Sequence, residues 1–216
     1  MAIKPILFNT EMVRAILDGR KTCTRRLPNK RVENDYFSYE AWAMSVATEG
    51  CKKMTEKQFY EQYPPYKLGD ILYVRETWTK ECEKYYYRAD YDSDYLEPCE
   101  TLSGGYPASC RNHPGCEGCT ATSWRIRWHP SIHMPKEAAR IWLKVTDVRV
   151  ERLQDMTDDD AEAEGCFDYT STALGFPDVW DSTIKKSDID RYGWDANPWV
   201  WVIEFERCEK PEEERR

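Results

Sequence analysis

Three runs of this chain carry apolar residues at the spacing of β-strands: residues 71–78, 141–150 and 199–205. In 141–150, Ile141, Leu143 and Val145 share one face, and the register breaks near Thr146-Asp147 before Val148 and Val150 resume it. A strand satisfies its backbone only against other strands, so these runs commit the chain to a sheet. Shorter strand signals stand at residues 5–8 and 84–89, and a turn, Leu68-Gly69-Asp70, leads into the first long run. Helical signals are brief. Residues 10–17 form an amphipathic turn pair with Asn9 or Thr10 as cap and Gly19 where the chain must leave the helix. Residues 157–164 read as a capped acidic helix stopped by Gly165, with weaker patterns at 55–62 and 179–184. The expected class is α+β.

Composition narrows the setting. The chain of 216 residues has nine tryptophans and fourteen tyrosines, enough aromatic area for a core and for ring-lined surfaces. No charged-then-apolar leader and no apolar run of bilayer length is visible, so the expectation is a soluble cytoplasmic protein of a bacterial host, without a membrane partner. A net charge of −8 argues against a protein that coats nucleic acid without selectivity. The charge is uneven, however. Residues 1–31 hold eight cations against Glu11 and Asp18, an excess of six, which suits a nucleoside, a nucleotide or a short single strand of RNA.

That excess gathers in Gly19-Arg20-Lys21-Thr22-Cys23-Thr24-Arg25-Arg26. A lysine near a hydroxyl is the pairing of base and nucleophile, and guanidinium groups beside it hold anions or polar base edges. The same residues equally describe a basic surface turn after a helix. Regular strand geometry would put residues 21 and 24 on opposite faces, so a shared site needs a bend between them. Cys23 lies inside the loop, where neighbouring cations would favour its thiolate.

The spacing Gly19-x-Lys21-x-x-Thr24-x-Arg26, followed by Gly69-Asp70-Ile71-Leu72, a long strand, an acidic helix ending in Glu164-Gly165 and a closing strand, resembles the ASCH family. The likeness covers residues 4–27, 67–78, 138–165 and 198–207, and the longer spacers are similar to those of larger phage and prophage members. It implies a single domain, 1–216, built as a PUA-like β-barrel with short flanking helices and insertions near 28–65 and 99–119. One branch of that family hydrolyses N(4)-acetylcytidine, and its Gly-Arg-Lys-Thr-x-Thr is reproduced by residues 19–24. The resemblance then implies that Thr24 attacks the acyl carbon, Lys21 takes its proton and Glu164 orients Lys21. Arg20 and Arg26 would steady the substrate. Arg75, Glu76 and Trp78 would line the pocket, with Trp78 stacked on a base and Glu76 the rival to Glu164 as partner of Lys21. The alternative function is a binding module for RNA or nucleotides, noncatalytic or ribonucleolytic.

A second constellation is Cys99, Cys110, Cys116 and Cys119, with His113 competing for one place and Cys82 able to replace Cys99. The segment is rich in Gly, Pro and Ser and poor in apolar residues, so it needs a staple rather than a core. Four thiolates close a tetrahedral zinc site and leave no open position, which makes the expected metal structural. Purified protein is therefore expected to carry about one zinc per chain. Elemental analysis that finds none, with every cysteine titrating freely in the absence of chelator, would refute that site.

Overall fold

The computed structural model describes residues 1–45, 53–81, 84–92, 95–96, 124–125, 127–166 and 172–212. Cys99, Cys110, Cys116, Cys119 and His113 lie outside these residues, as do Cys51 and Cys82. The elements run β1 (Ile3–Leu7), α1 (Thr10–Leu17), β2 (Cys23–Arg26), α2 (Lys30–Ser45), α3 (Glu56–Tyr60), β3 (Ile71–Arg75), β4 (Trp78–Glu81) and β5 (Lys84–Tyr87). They continue as β6 (Tyr95–Leu96), β7 (Trp124–Arg125), β8 (Trp142–Arg152), α4 (Asp158–Ala163), α5 (Thr172–Thr183), α6 (Ile189–Tyr192) and β9 (Trp199–Cys208). The class is α+β, as expected.

One five-stranded sheet has the order β1-β3-β8-β9-β2, and two hairpins, β4-β5 and β6-β7, stand apart from it. The two ends of that order are edges. Among the described residues the sheet is open, and the expected closed barrel is not found. The reason is local: the outer edge of β2 is taken by groups of the α4 segment, as described below, rather than by another strand. No helix of the described residues is long and apolar enough to cross a membrane.

The chain falls into two compact units, 1–2 with 19–71 and 144–207, and 3–18 with 72–143 and 208–216. In the second of these, Asn9 caps α1 by accepting from the Met12 amide at 2.9 Å, and the helix buries Val13, Ala15 and Ile16. Arg14 reaches the Ala89 carbonyl at 3.0 Å. The run 71–78, which reads as one strand, is broken after Arg75, and β4 starts at Trp78. Glu76, at the break, is buried and held by both nitrogens of a bidentate Arg140, at 2.9 and 3.0 Å.

In the first unit, Gly69 takes the left-handed conformation, φ +80°, that the turn demands. Buried Asp70 then accepts from the amides of Ala2 at 2.8 Å and Lys67 at 3.1 Å. The core packs Leu153, Ala161, Cys166, Phe176, Trp180, Val200 and Val202 together, so α4 and α5 lie on one face of β9. Thr55 and Thr157 form capping boxes with Gln58 and Asp160. The sixteen-residue α2 is not legible as a helix in the sequence, because it buries only Val32, Glu33 and Tyr36 and leaves Phe37, Trp42 and Met44 outside. Leu153 is fully enclosed where β8 hands over to α4. Leu153→Ala is expected to lower unfolding stability by about 2–5 kcal/mol through the cavity it leaves. A urea titration showing less than about 1 kcal/mol would mean that this cluster is not the core.

Candidate active site

β2 is short, and its inner edge pairs antiparallel with β9, setting Thr24 opposite Ile203, Arg25 opposite Val202 and Arg26 opposite Trp201. Opposed residues share a face of the sheet. Thr24 and Arg26 therefore lie on the face of Ile203 and Trp201, and Cys23 and Arg25 lie on the face of Val202, against α4.

The outer edge of β2 exposes backbone groups that another strand would normally satisfy. Here Glu164, the residue that ends α4, takes that part. Its Oε1 accepts the Arg25 amide at 2.6 Å, and its Oε2 accepts Lys21 Nζ at 2.5 Å. Lys21 Nζ also donates to the Cys23 carbonyl at 2.7 Å and to the Glu164 carbonyl at 2.8 Å. The Thr22 amide donates to the Ala163 carbonyl at 2.8 Å. The terminal carbonyls of α4, which have no partner within their helix, thus meet a lysine and an amide from the incoming strand. Three acceptors match the three N–H donors of an ammonium. Side-chain exposure of Lys21 and Glu164 is only 1% and 7%, so the pair is withdrawn from solvent.

Gly19, at φ +77°, allows the turn that brings Lys21 back. Because β2 begins only at Cys23, Lys21 is not bound by the strand alternation that would have separated it from Thr24. The turn lies at Asp18-Gly19, before Lys21, and the pairing with β9 reaches back to the Thr22 carbonyl, so the expected bend between Lys21 and Thr24 is not found. Thr24 is itself buried.

Arg25 is wholly enclosed. Its Nη2 lies 3.3 Å from Asp160 Oδ1 and 3.9 Å from Glu151, with Nη1 4.0 Å from Glu164. Arg149 joins Glu151, Glu204 and Asp147 and stands 3.8 Å from Asp160. Burial pushes the Asp160 carboxyl upward, but bonds from the Thr157 amide and hydroxyl, with the charge of Arg25, hold it below its ordinary value. Burial draws the Arg26 guanidinium down against the opposing pull of Glu164 and Tyr66. The basic run is therefore largely turned inward, with Arg20 left exposed and Arg26 half-buried.

Cys23 corrects an expectation. Its thiol is pushed up to about 12, by burial first and Glu164 next, and nearby Lys21 and Arg25 do not reverse this. Sulfur enclosed among carboxylates stays protonated despite the basic sequence around it.

Arg75, Glu76 and Trp78, expected to line the pocket, lie in the second compact unit. There Arg75 donates to the Met134 carbonyl at 2.8 Å. Glu76, expected as a rival partner for Lys21, is bound by Arg140, which also meets Asp90 at 2.7 Å. Burial raises the Glu76 carboxyl, with Arg140 opposing. Trp78 sits between the rings of Tyr85 and His129, at 5.8 and 5.3 Å.

Two features escaped the sequence reading. Trp201 is buried with an indole N–H that has no partner among the described residues. It lines a cavity of about 560 Å³ with Tyr66, Lys67, Thr146 and Arg149. That volume lies in the ordinary range for small-molecule sites. Tyr66 also interacts with Arg26, which is paired opposite Trp201 and shares its face with Thr24; Thr24 itself is not a lining residue. The alternation of Trp199, Trp201 and Ile203 carried the face, but no sequence signal carried the hollow. Among the described residues, no group of three or more His, Cys, Asp or Glu side chains is arranged to hold a metal.

Comparison of the chain with protein-family profiles, characterised proteins and solved structures finds no match.

A thiol at about 12 is ionised in on the order of one molecule in ten thousand at pH 8. Iodoacetamide at pH 8 is therefore expected to label half-exposed Cys208 in the native protein and to spare Cys23 until denaturant is added. Equal labelling of the two peptides by mass spectrometry would contradict the enclosed site.

Proposed function

We propose that this protein hydrolyses an acylated nucleoside such as N(4)-acetylcytidine, with Thr24 as nucleophile, Lys21 as base and Glu164 as the carboxylate that holds Lys21. The observation that carries the reading is the placing of Thr24 on the sheet face beside the Trp201 cavity, with the buried Lys21–Glu164 pair at the margin of the same short strand. Acyl transfer needs a nucleophile and a base withdrawn from bulk water, whereas a polynucleotide would need an open cationic groove. Burial of Lys21 and Arg25 against carboxylates supports the former.

The chemistry follows acyl transfer. In this scheme Lys21 first passes a proton to the Glu164 carboxylate, to which it is hydrogen-bonded, and acts as a neutral amine. Lys21 then takes the Thr24 hydroxyl proton as Oγ bonds to the acyl carbon. The C–N bond breaks as Lys21 gives that proton to the leaving amine; Lys21 then takes a proton from the water that attacks the ester, returns it to Thr24 Oγ as the acid departs, and recovers its own proton from Glu164. Arg26 and the indole N–H of Trp201 are the donors on this face that would meet a base edge or a developing oxyanion. In the same proposal the fold is an ASCH-type elaboration of a PUA-like architecture, and residues 99–119 form a zinc-stapled insertion.

A second reading, a binding module for nucleotides or single-stranded RNA without hydrolysis, draws on one observation. All three donors of Lys21 are engaged, as a purely structural lock would have them. Assay of N(4)-acetylcytidine hydrolysis separates the two. Thr24→Ala and Lys21→Ala are each expected to lower kcat at least about a hundredfold, with the double variant no worse than either. Glu164→Gln is expected to lose less. Thr24→Ala carries the decision, since it leaves the buried pair intact. Full activity in that variant would rule out the acyl-enzyme route, and an inactive parent protein that still binds nucleosides would favour the module.

A further inference from the structure

A smaller cavity, of about 190 Å³, opens elsewhere in the first unit between α2, α6 and the start of β9. Its walls include Glu33, Phe37, Arg152, Arg191, Tyr192 and Trp199. None of them belongs to the hydrolytic set. The arginines are arranged as flat surfaces: the Arg152 guanidinium lies 4.1 Å from the centre of the Trp199 ring, and that of Arg191 lies 4.9 Å from Tyr192 and 5.6 Å from Phe37. Arg152 is fixed by donation to the Asn197 carbonyl at 3.0 Å. Tyr192 is fixed by its own carbonyl, which accepts Trp180 Nε1 at 2.8 Å.

Glu33 gives the cavity its selectivity. It stands in the first turn of α2 and is only 5% exposed. Its Oε2 accepts the Tyr192 hydroxyl at 2.6 Å and faces Arg191 at 3.4 Å. Its Oε1 accepts no hydrogen bond from a described residue. Burial, then the bond to Glu33, pushes the Tyr192 phenol up to about 12, so it remains a donor to Glu33 Oε2. That oxygen is open to the water of the cavity, where a ligand N–H can take the place of the solvent donor.

The surroundings restrict that ligand. A cation would meet Arg152 and Arg191, and an anion would meet Glu33 and Glu56, which also lines the cavity. A neutral group is left. The ring and guanidinium walls favour a flat one. The volume is below the roughly 300–1,000 Å³ of drug-sized sites, so it admits a single ring system. We propose that this cavity binds one amino-substituted heterocyclic base, its exocyclic N–H donated to Glu33 Oε1 and its plane set among Trp199, Phe37 and the two guanidiniums. A carboxylate accepting from an exocyclic amine is an established mode of base reading. The sugar would lie at the mouth, where Phe37 is 50% exposed.

Calorimetric titration of the full chain tests this with adenosine and with purine riboside, which has the same ring without the amine. Adenosine is expected to bind saturably, and purine riboside about tenfold more weakly. Glu33→Gln keeps the shape and removes the charge, and it is expected to weaken adenosine about tenfold without changing purine riboside. The first comparison needs no variant, so it stands even if Glu33→Gln unfolds. Equal affinity for the two nucleosides, equal adenosine affinity in a folded Glu33→Gln protein, or no saturable binding would each overturn the proposal.

Discussion

The ammonium of Lys21 connects three parts of the chain that would otherwise leave polar groups buried and unpaired. It satisfies the Cys23 carbonyl on the outer edge of β2, the last carbonyl of the α4 segment, and one oxygen of the Glu164 carboxylate. Glu164 completes the set by accepting the Arg25 amide. Two leucines of equal volume could fill that space but could not serve a carbonyl and an amide of a strand edge. Buried ion pairs often contribute little net stability compared with apolar packing. This one is required by the backbone around it, because a sheet edge covered by a helix end needs a donor and an acceptor in alternation.

That requirement reverses the meaning of the basic segment. In the sequence, six excess positive charges near the beginning suggest an electropositive surface. In the folded chain Lys21 and Arg25 face Glu164, Asp160 and Glu151, all supplied by residues 151–164. The two charge runs are partners across the fold, not independent surfaces. Arg149 extends the network to Glu204 on β9, so the strand opposite β2 is drawn into the same electrostatic cluster.

Much of the scaffold was legible because its signals are short-range. Asn9, Thr55 and Thr157 cap helices within a few residues of themselves, and Gly19, Gly69 and Gly165 adopt positive φ where turns had to occur. Strands β8 and β9 followed from alternation. The pairing of Lys21 with Glu164, 143 residues apart, entered through a family resemblance rather than through any local pattern. What failed were inferences about surroundings. Cys23 looked activated because its sequence neighbours are cationic, and Arg25 and Lys21 are indeed beside it in space, yet burial and Glu164 outweigh them. Glu76 looked like a partner for Lys21 because it ends a strand, yet Arg140 holds both of its oxygens. Helix α2 was missed because a helix that buries a narrow stripe shows little periodicity. The openness of the sheet was missed because closure depends on which groups reach the edge of β2, and strand patterns do not encode that.

The dual position of Lys21 bears on how its role can be argued. Because it closes the edge of β2, its burial and short contacts would be the same whether or not it ever accepts a proton. Geometry at Lys21 and Glu164 is therefore shared by the catalytic and the structural readings. Thr24 differs. Its backbone belongs to the β2–β9 pairing, which any small strand residue would maintain, and its side chain lies on the opposite face from Arg25 and the α4 packing. A hydroxyl there is not needed to hold the edge. The physical case for chemistry rests on that hydroxyl, on its face with Arg26 and Trp201, and on the indole N–H of Trp201, which has no partner among the described residues.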